Sequence, residues 1–100
     1  MYQKLLTKEN LKQLPALYSQ EENDDPMVWI KLFHPVGSWT FYATEYDPDQ
    51  RLFFGWNPMD GELGYASLEE IETVKVHGLG VERDMYFRPR LLSQVKAERI

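Results

Sequence analysis

The stretch Ser38-Trp39-Thr40-Phe41-Tyr42-Ala43-Thr44-Glu45-Tyr46-Asp47 decides how this chain folds. It reads as one β-strand, and successive side chains of a strand point to opposite faces. One face receives Trp39, Phe41, Ala43, Glu45 and Asp47; the other receives Thr40, Tyr42, Thr44 and Tyr46. The first face is apolar at one end and acidic at the other, and the second is a row of hydroxyls. Such a strand serves equally as one wall of a binding site or as an ordinary strand whose charged end reaches solvent.

The segments on either side supply pairing partners. Residues 27–34 form a first strand, with Val28, Ile30 and Leu32 on one face and Met27, Trp29 and Phe33 on the other, and Pro35 and Gly37 turn the chain back. Asp47-Pro48-Asp49 is a second turn. It leads into a third strand, 51–56, with Leu52, Phe54 and Trp56 on one face. Asn57-Pro58-Met59-Asp60-Gly61 is a loop, and 63–66 is a short fourth strand. Sequential strands with short connections predict an antiparallel meander. Thr7 caps a short helix that ends at Pro15 or restarts after it, and Leu11, Leu14, Leu17 and Tyr18 make an apolar stripe at helical spacing. The polar stretch 19–26 is a solvated loop. Ser67-Leu68-Glu69-Glu70 fits a capping box before a second short helix. A loop with Gly78 and Gly80, a last strand over 81–87 and a terminal helix over 91–98 complete the reading. The expected fold is α+β: one domain over residues 1–100, a sheet of four to five antiparallel strands, and short helices near the N-terminus, middle and C-terminus, packed against one face.

Composition narrows the function. One hundred residues suit one domain with a real core. The absence of cysteine excludes disulfides, thiolate metal sites and cysteine nucleophiles. The opening run Met1-Tyr2-Gln3-Lys4-Leu5-Leu6 lacks the apolar core of a signal peptide, and no stretch approaches a membrane span, so a soluble cytoplasmic protein is expected. A net charge of −5 argues against direct nucleic-acid binding, which rests on Lys and Arg. It suits either simple solubility or the presentation of acid to a basic partner.

No phosphate-binding loop or nucleophile elbow is present. His34 and His77 each sit beside a turn, where solvent exposure or capping is the common role. The chemical candidates are carboxylates: Glu45 and Asp47, about 7 Å apart along an ideal strand, with Glu62, Glu82 and Asp84. Converging, they would bind a hard cation or perturb a pKa. Salt bridges to Arg51, Arg83, Arg88 or Arg90 are the ordinary alternative. Tyr42, Tyr46 and Trp56, with Phe53 and Tyr86, are either core or an interaction patch.

Beyond these residue-level readings, the chain resembles a known family. Lys4-Leu5-Leu6-Thr7 with Leu14-Pro15-Ala16-Leu17-Tyr18, the 39–47 strand and Leu52-Phe53-Phe54-Gly55 carry the resemblance. So do Glu62-Leu63-Gly64-Tyr65-Ala66-Ser67-Leu68-Glu69-Glu70 and Val81-Glu82-Arg83-Asp84-Met85-Tyr86-Phe87-Arg88-Pro89. In this order they are similar to the domain-of-unknown-function family 2958. The resemblance implies a small bacterial accessory protein of mobile genetic elements and carries over no catalytic residue. The expectation is therefore a protein partner engaged through an acidic and aromatic surface, with no cofactor or resident metal and no membrane. A small metal-assisted enzyme or ligand-binding domain built on the carboxylates, and a homodimer pairing through the 51–56 strand, are the alternatives.

Overall fold

The computed structural model describes residues 5–99; Met1 to Lys4 of the opening run, and Ile100, lie outside them. Its elements are α1 (Lys8–Gln13), β1 (Met27–Val28), β2 (Ile30–Phe33), β3 (Thr40–Asp47), β4 (Leu52–Asn57), β5 (Glu62–Ser67) and α2 (Leu68–Thr73), followed by β6 (Lys75–Val76), β7 (Leu79–Gly80), β8 (Glu82–Arg83), β9 (Arg90–Leu91) and α3 (Leu92–Glu98). The main sheet is antiparallel with order β5-β4-β3-β2-β8. Strands β2 to β5 are the expected meander, and the fold is α+β.

Two hairpin turns share one design. In each, an Asx side chain accepts the N–H two residues on: Asp49 N–H to Asp47 at 3.0 Å, and Met59 N–H to Asn57 at 2.9 Å. Each turn closes on a left-handed residue, Gly61 at φ 74° in one and Arg51 at φ 52° in the other. At Arg51 a non-glycine residue holds that conformation, and its guanidinium reaches Glu72 at 2.6 Å.

A bulge in β3 sets the chemistry of both faces. Ala43 pairs with Gly55, but Glu45 pairs with Phe54, so Thr44 is the extra residue. The Thr44 hydroxyl donates to the Phe54 carbonyl at 3.1 Å. Alternation skips a beat there. Phe41 and Ala43 share their face with Tyr46, while Glu45 joins the face of Tyr42. This corrects the strict alternation read from the sequence, in which Glu45 lay with Phe41 and Tyr46 with Tyr42. The bulge also demands Gly55, because a Cβ there would lie 2.1 Å from the Tyr42 carbonyl oxygen.

Each face of the sheet carries its own core, so the helices do not gather on one side as expected. Ile30, Leu32, Phe41, Tyr46 and Phe53 pack with Leu14 from the α1 segment and Leu68 and Ile71 from α2. On the opposite face, Tyr42 and Trp56 pack with Val28 and with Leu92 and Val95 of α3. The first strand is broken at Trp29, which puts Val28 in the second core rather than beside Ile30 and Leu32. β1 leaves the main sheet and pairs with β9. The last strand is two residues long instead of seven, because Asp84 folds back and its side chain accepts the Tyr86 N–H at 2.9 Å. The stripe on the first helix does not form a buried face: Leu14 is buried, whereas Leu11 and Tyr18 are exposed. Thr7 does cap α1, with a full capping box to Asn10, and the Ser67 hydroxyl accepts the Glu70 N–H at the start of α2.

Two buried or half-buried polar groups fasten the ends. The His34 Nε2–H donates to the Leu79 carbonyl at 2.9 Å, and Nδ1 accepts the Val36 and Gly37 N–H groups. These contacts fix the tautomer and tie the β2–β3 turn to the β6–β7 hairpin. Asp25 accepts both the N–H and the hydroxyl of Ser93, at 2.8 and 2.6 Å, and so caps α3 from across the sequence.

Candidate functional site

β2 reaches only as far as Ala43 along β3, so among the described residues the end of β3 has no strand partner on that side. Segment 15–20 takes its place. The Tyr46 N–H donates to the Pro15 carbonyl at 2.9 Å, and the Gln20 amide donates to the Thr44 carbonyl at 3.0 Å. The Glu45 carboxylate, turned onto this side by the bulge, accepts the Tyr18 N–H at 2.8 Å and the Gln20 N–H at 2.9 Å. With 4% of its surface exposed, Glu45 is a structural anchor for this loop. Buried carboxylates persist where they accept such bonds.

The anchored loop walls a groove of about 210 Å³. Phe54 forms its floor, Glu45 its end, and Leu63 and Tyr65 of β5 its far wall, with Tyr18 and Glu21 on the near side. Tyr18 holds a left-handed backbone, φ 70°, and leaves 58% of its surface in solvent. Tyr65 is 54% exposed, and its ring lies 5.1 Å edge-on from Phe54. The Tyr65 phenol is held above its ordinary pKa, first by its hydrogen bond to the Tyr18 hydroxyl, then by burial and the negative charges of Glu21 and Glu45.

The carboxylates singled out in the sequence do not come together. Glu62 begins β5 at one edge of the sheet and Glu82 lies in β8 at the other, with β4, β3 and β2 between them. Asp84 pairs with Lys31 at 3.7 Å. Asp47 closes its own turn, where Gln50 donates to it at 2.7 Å. Among the described residues, no three His, Asp or Glu side chains form a group able to hold a metal ion. The arginines pair elsewhere than expected: Arg51 with Glu72, and Arg90 with Glu98.

Of the aromatics that the sequence leaves open between core and surface patch, Tyr42, Tyr46, Phe53 and Trp56 are buried and Tyr86 is exposed. Tyr46 packs at 4.7 Å from Phe53, and burial pushes its phenol above the ordinary value, against the opposing pull of Arg51. Tyr42 and Trp56 sit together in the second core, with Arg99 donating to the Tyr42 hydroxyl at 3.0 Å and Lys96 over the Trp56 ring. The residues that do form an acidic and aromatic surface are Tyr18, Glu21, Phe54, Leu63 and Tyr65. Only the exposed alternation of Leu63 and Tyr65 hinted at them, because the loop 18–25 has no periodicity and its position depends on Glu45. The strand 51–56 is interior, so edge pairing with a second copy through it is ruled out; the sheet edges are β5 and β8.

Fold and site together define a small α+β meander protein with helices on both faces and an open groove beside one sheet edge. The chain belongs to the family described as protein of unknown function DUF2958, whose model matches residues 5–98. No curated protein and no solved structure matches it. Among the described residues, no helix is long and apolar enough to cross a membrane.

Proposed function

We propose that this chain is a non-enzymatic accessory protein of bacterial mobile elements. In this reading it works in the cytoplasm and binds a protein of host defence or of DNA processing through the groove between Tyr18 and Tyr65. The observation that carries the reading is Tyr18. A tyrosine held at φ 70° with its ring mostly in solvent costs stability, about 1–2 kcal/mol for a non-glycine residue, and the fold gains no core packing in return. Paired with the exposed ring of Tyr65, it presents the residue type that most often anchors protein interfaces. The surrounding acids and the net charge of −5 suit a basic partner.

The test uses Tyr18→Gly and Tyr65→Ala in affinity capture from host lysate with nuclease present. Tyr18→Gly relieves the strained backbone and is expected to fold at least as stably as the parent. A partner retained by the parent and lost from both variants supports the reading. A partner retained equally by both variants, or no specific partner at all, overturns it.

A further inference from the structure

The β5 strand is open along its outer side. Leu68 N–H donates to the Arg51 carbonyl at 2.9 Å, which sets the phase of the β4–β5 ladder. Ala66, Gly64 and Glu62 therefore turn their backbone groups toward β4, and the N–H and C=O groups of Leu63, Tyr65 and Ser67 point outward. Among the described residues no strand lies beyond β5. The strand carries little of what usually protects an edge: its one charged residue is Glu62, at its start, and no Pro, Lys or Arg lies between Glu62 and Ser67.

Grooves flank this edge on both faces. On one side lies the Tyr18–Tyr65 groove. On the other, a cavity of about 300 Å³ is lined by Gly64 and Ala66, floored by Trp39 and Phe41, and rimmed by Asp60 and Glu62. A Cβ added to Gly64 would meet nothing within 4 Å, so this side of the strand is uncrowded. A chain added to β5 would send successive side chains alternately into the two grooves. Each groove joins an aromatic floor to a carboxylate rim: Glu21 in one, beyond the buried Glu45 that holds the loop, and Asp60 and Glu62 in the other.

We infer that β5 receives an extended segment of the partner protein as a sixth strand of the main sheet, and that this segment carries Lys or Arg at positions entering the two grooves. The inference rests on the binding reading above and names its mode: backbone pairing supplies affinity, and the flanking grooves supply selectivity. A long aliphatic stem over an aromatic floor with its cation at the acidic rim is the arrangement that suits Lys and Arg.

The test selects random linear peptides displayed on phage against the immobilised protein, then compares binding to the parent, Leu63→Pro, Leu63→Ala and Glu21→Lys. Proline at 63 removes one outward N–H and leaves the β4 ladder intact, because edge strands accept proline where the N–H faces solvent. Selected peptides are expected to be rich in Lys or Arg. Their affinity should be about tenfold lower for Leu63→Pro than for Leu63→Ala, which trims the same groove wall but keeps the outward N–H; that difference is the worth of one net hydrogen bond with its register. Glu21→Lys should weaken binding as well. Independently of any variant, bound peptide should slow amide exchange of Leu63, Tyr65 and Ser67 in the parent.

Peptides that bind Leu63→Pro as well as Leu63→Ala, without protecting those amides, overturn strand addition. So does a selection that yields no binder, or a Leu63→Pro variant whose only change is loss of self-association, which would make a second copy the occupant. If Tyr18→Gly and Tyr65→Ala abolish capture while Leu63→Pro does not, the groove reading survives and strand addition fails.

Discussion

Replacing Glu45 by Gln is the sharpest probe of how the groove is built. The carboxylate accepts the Tyr18 and Gln20 N–H groups through separate oxygens. Glutamine keeps one acceptor and sets an NH2 against the other backbone N–H. Leaving that donor unsatisfied costs about 1–3 kcal/mol, and the remaining bond weakens by about 1 kcal/mol when its acceptor becomes neutral. Because Glu45 is buried, solvent screening offers little relief. The expected loss is about 2–4 kcal/mol. At about 4–8 °C per kcal/mol for a chain of this size, the melting temperature should drop by about 8–32 °C. Urea denaturation followed by circular dichroism gives the free energy. Amide exchange at Tyr18 and Gln20 should accelerate more than at Phe53, which lies in the opposite core. A melting temperature within about 3 °C of the parent, under ~1 kcal/mol, would refute the anchoring role.

Two further outcomes follow from the same geometry. Gly55→Ala places a Cβ against the Tyr42 carbonyl beside the bulge and should destabilise by about 3 kcal/mol, read by the same denaturation; a neutral effect would mean the strands separate easily there. Asp25 is held below the ordinary carboxylate pKa of 3.8 by the side-chain and backbone hydrogen bonds from Ser93. The folded state therefore binds fewer protons than the unfolded state below that pH, so this contribution is present above pH 3.8 and is lost as the pH falls through the folded value. Asp25→Asn should flatten that part of the acid-side stability profile, and an unchanged profile would remove Asp25 from the account.

The meander was legible because its strands alternate and its turns carry Pro, Gly, Asn and Asp at the required positions. The capping residues Thr7 and Ser67 were legible for the same local reason. What sequence periodicity missed are non-local effects. An extra residue at Thr44 shifts every later side chain of β3 to the other face, and that is what buries Glu45 and moves Tyr46 beside Phe53. The break at Trp29 is set by β1 pairing with β9, whose partner residues Arg90 and Leu91 lie far along the chain. The groove depends on loop 18–20, which has no pattern of its own and is placed by two hydrogen bonds to Glu45. The carboxylates shared alternation without sharing a place, since β5 and β8 lie at opposite edges of the sheet.

The most direct test of the account is the amide-exchange footprint of a captured partner on the parent protein. Slowed exchange is expected in 18–21 and 63–67, the two walls of the groove and the open edge. Protection confined to α3 or to the β6–β7 hairpin, with those segments unchanged, would contradict it.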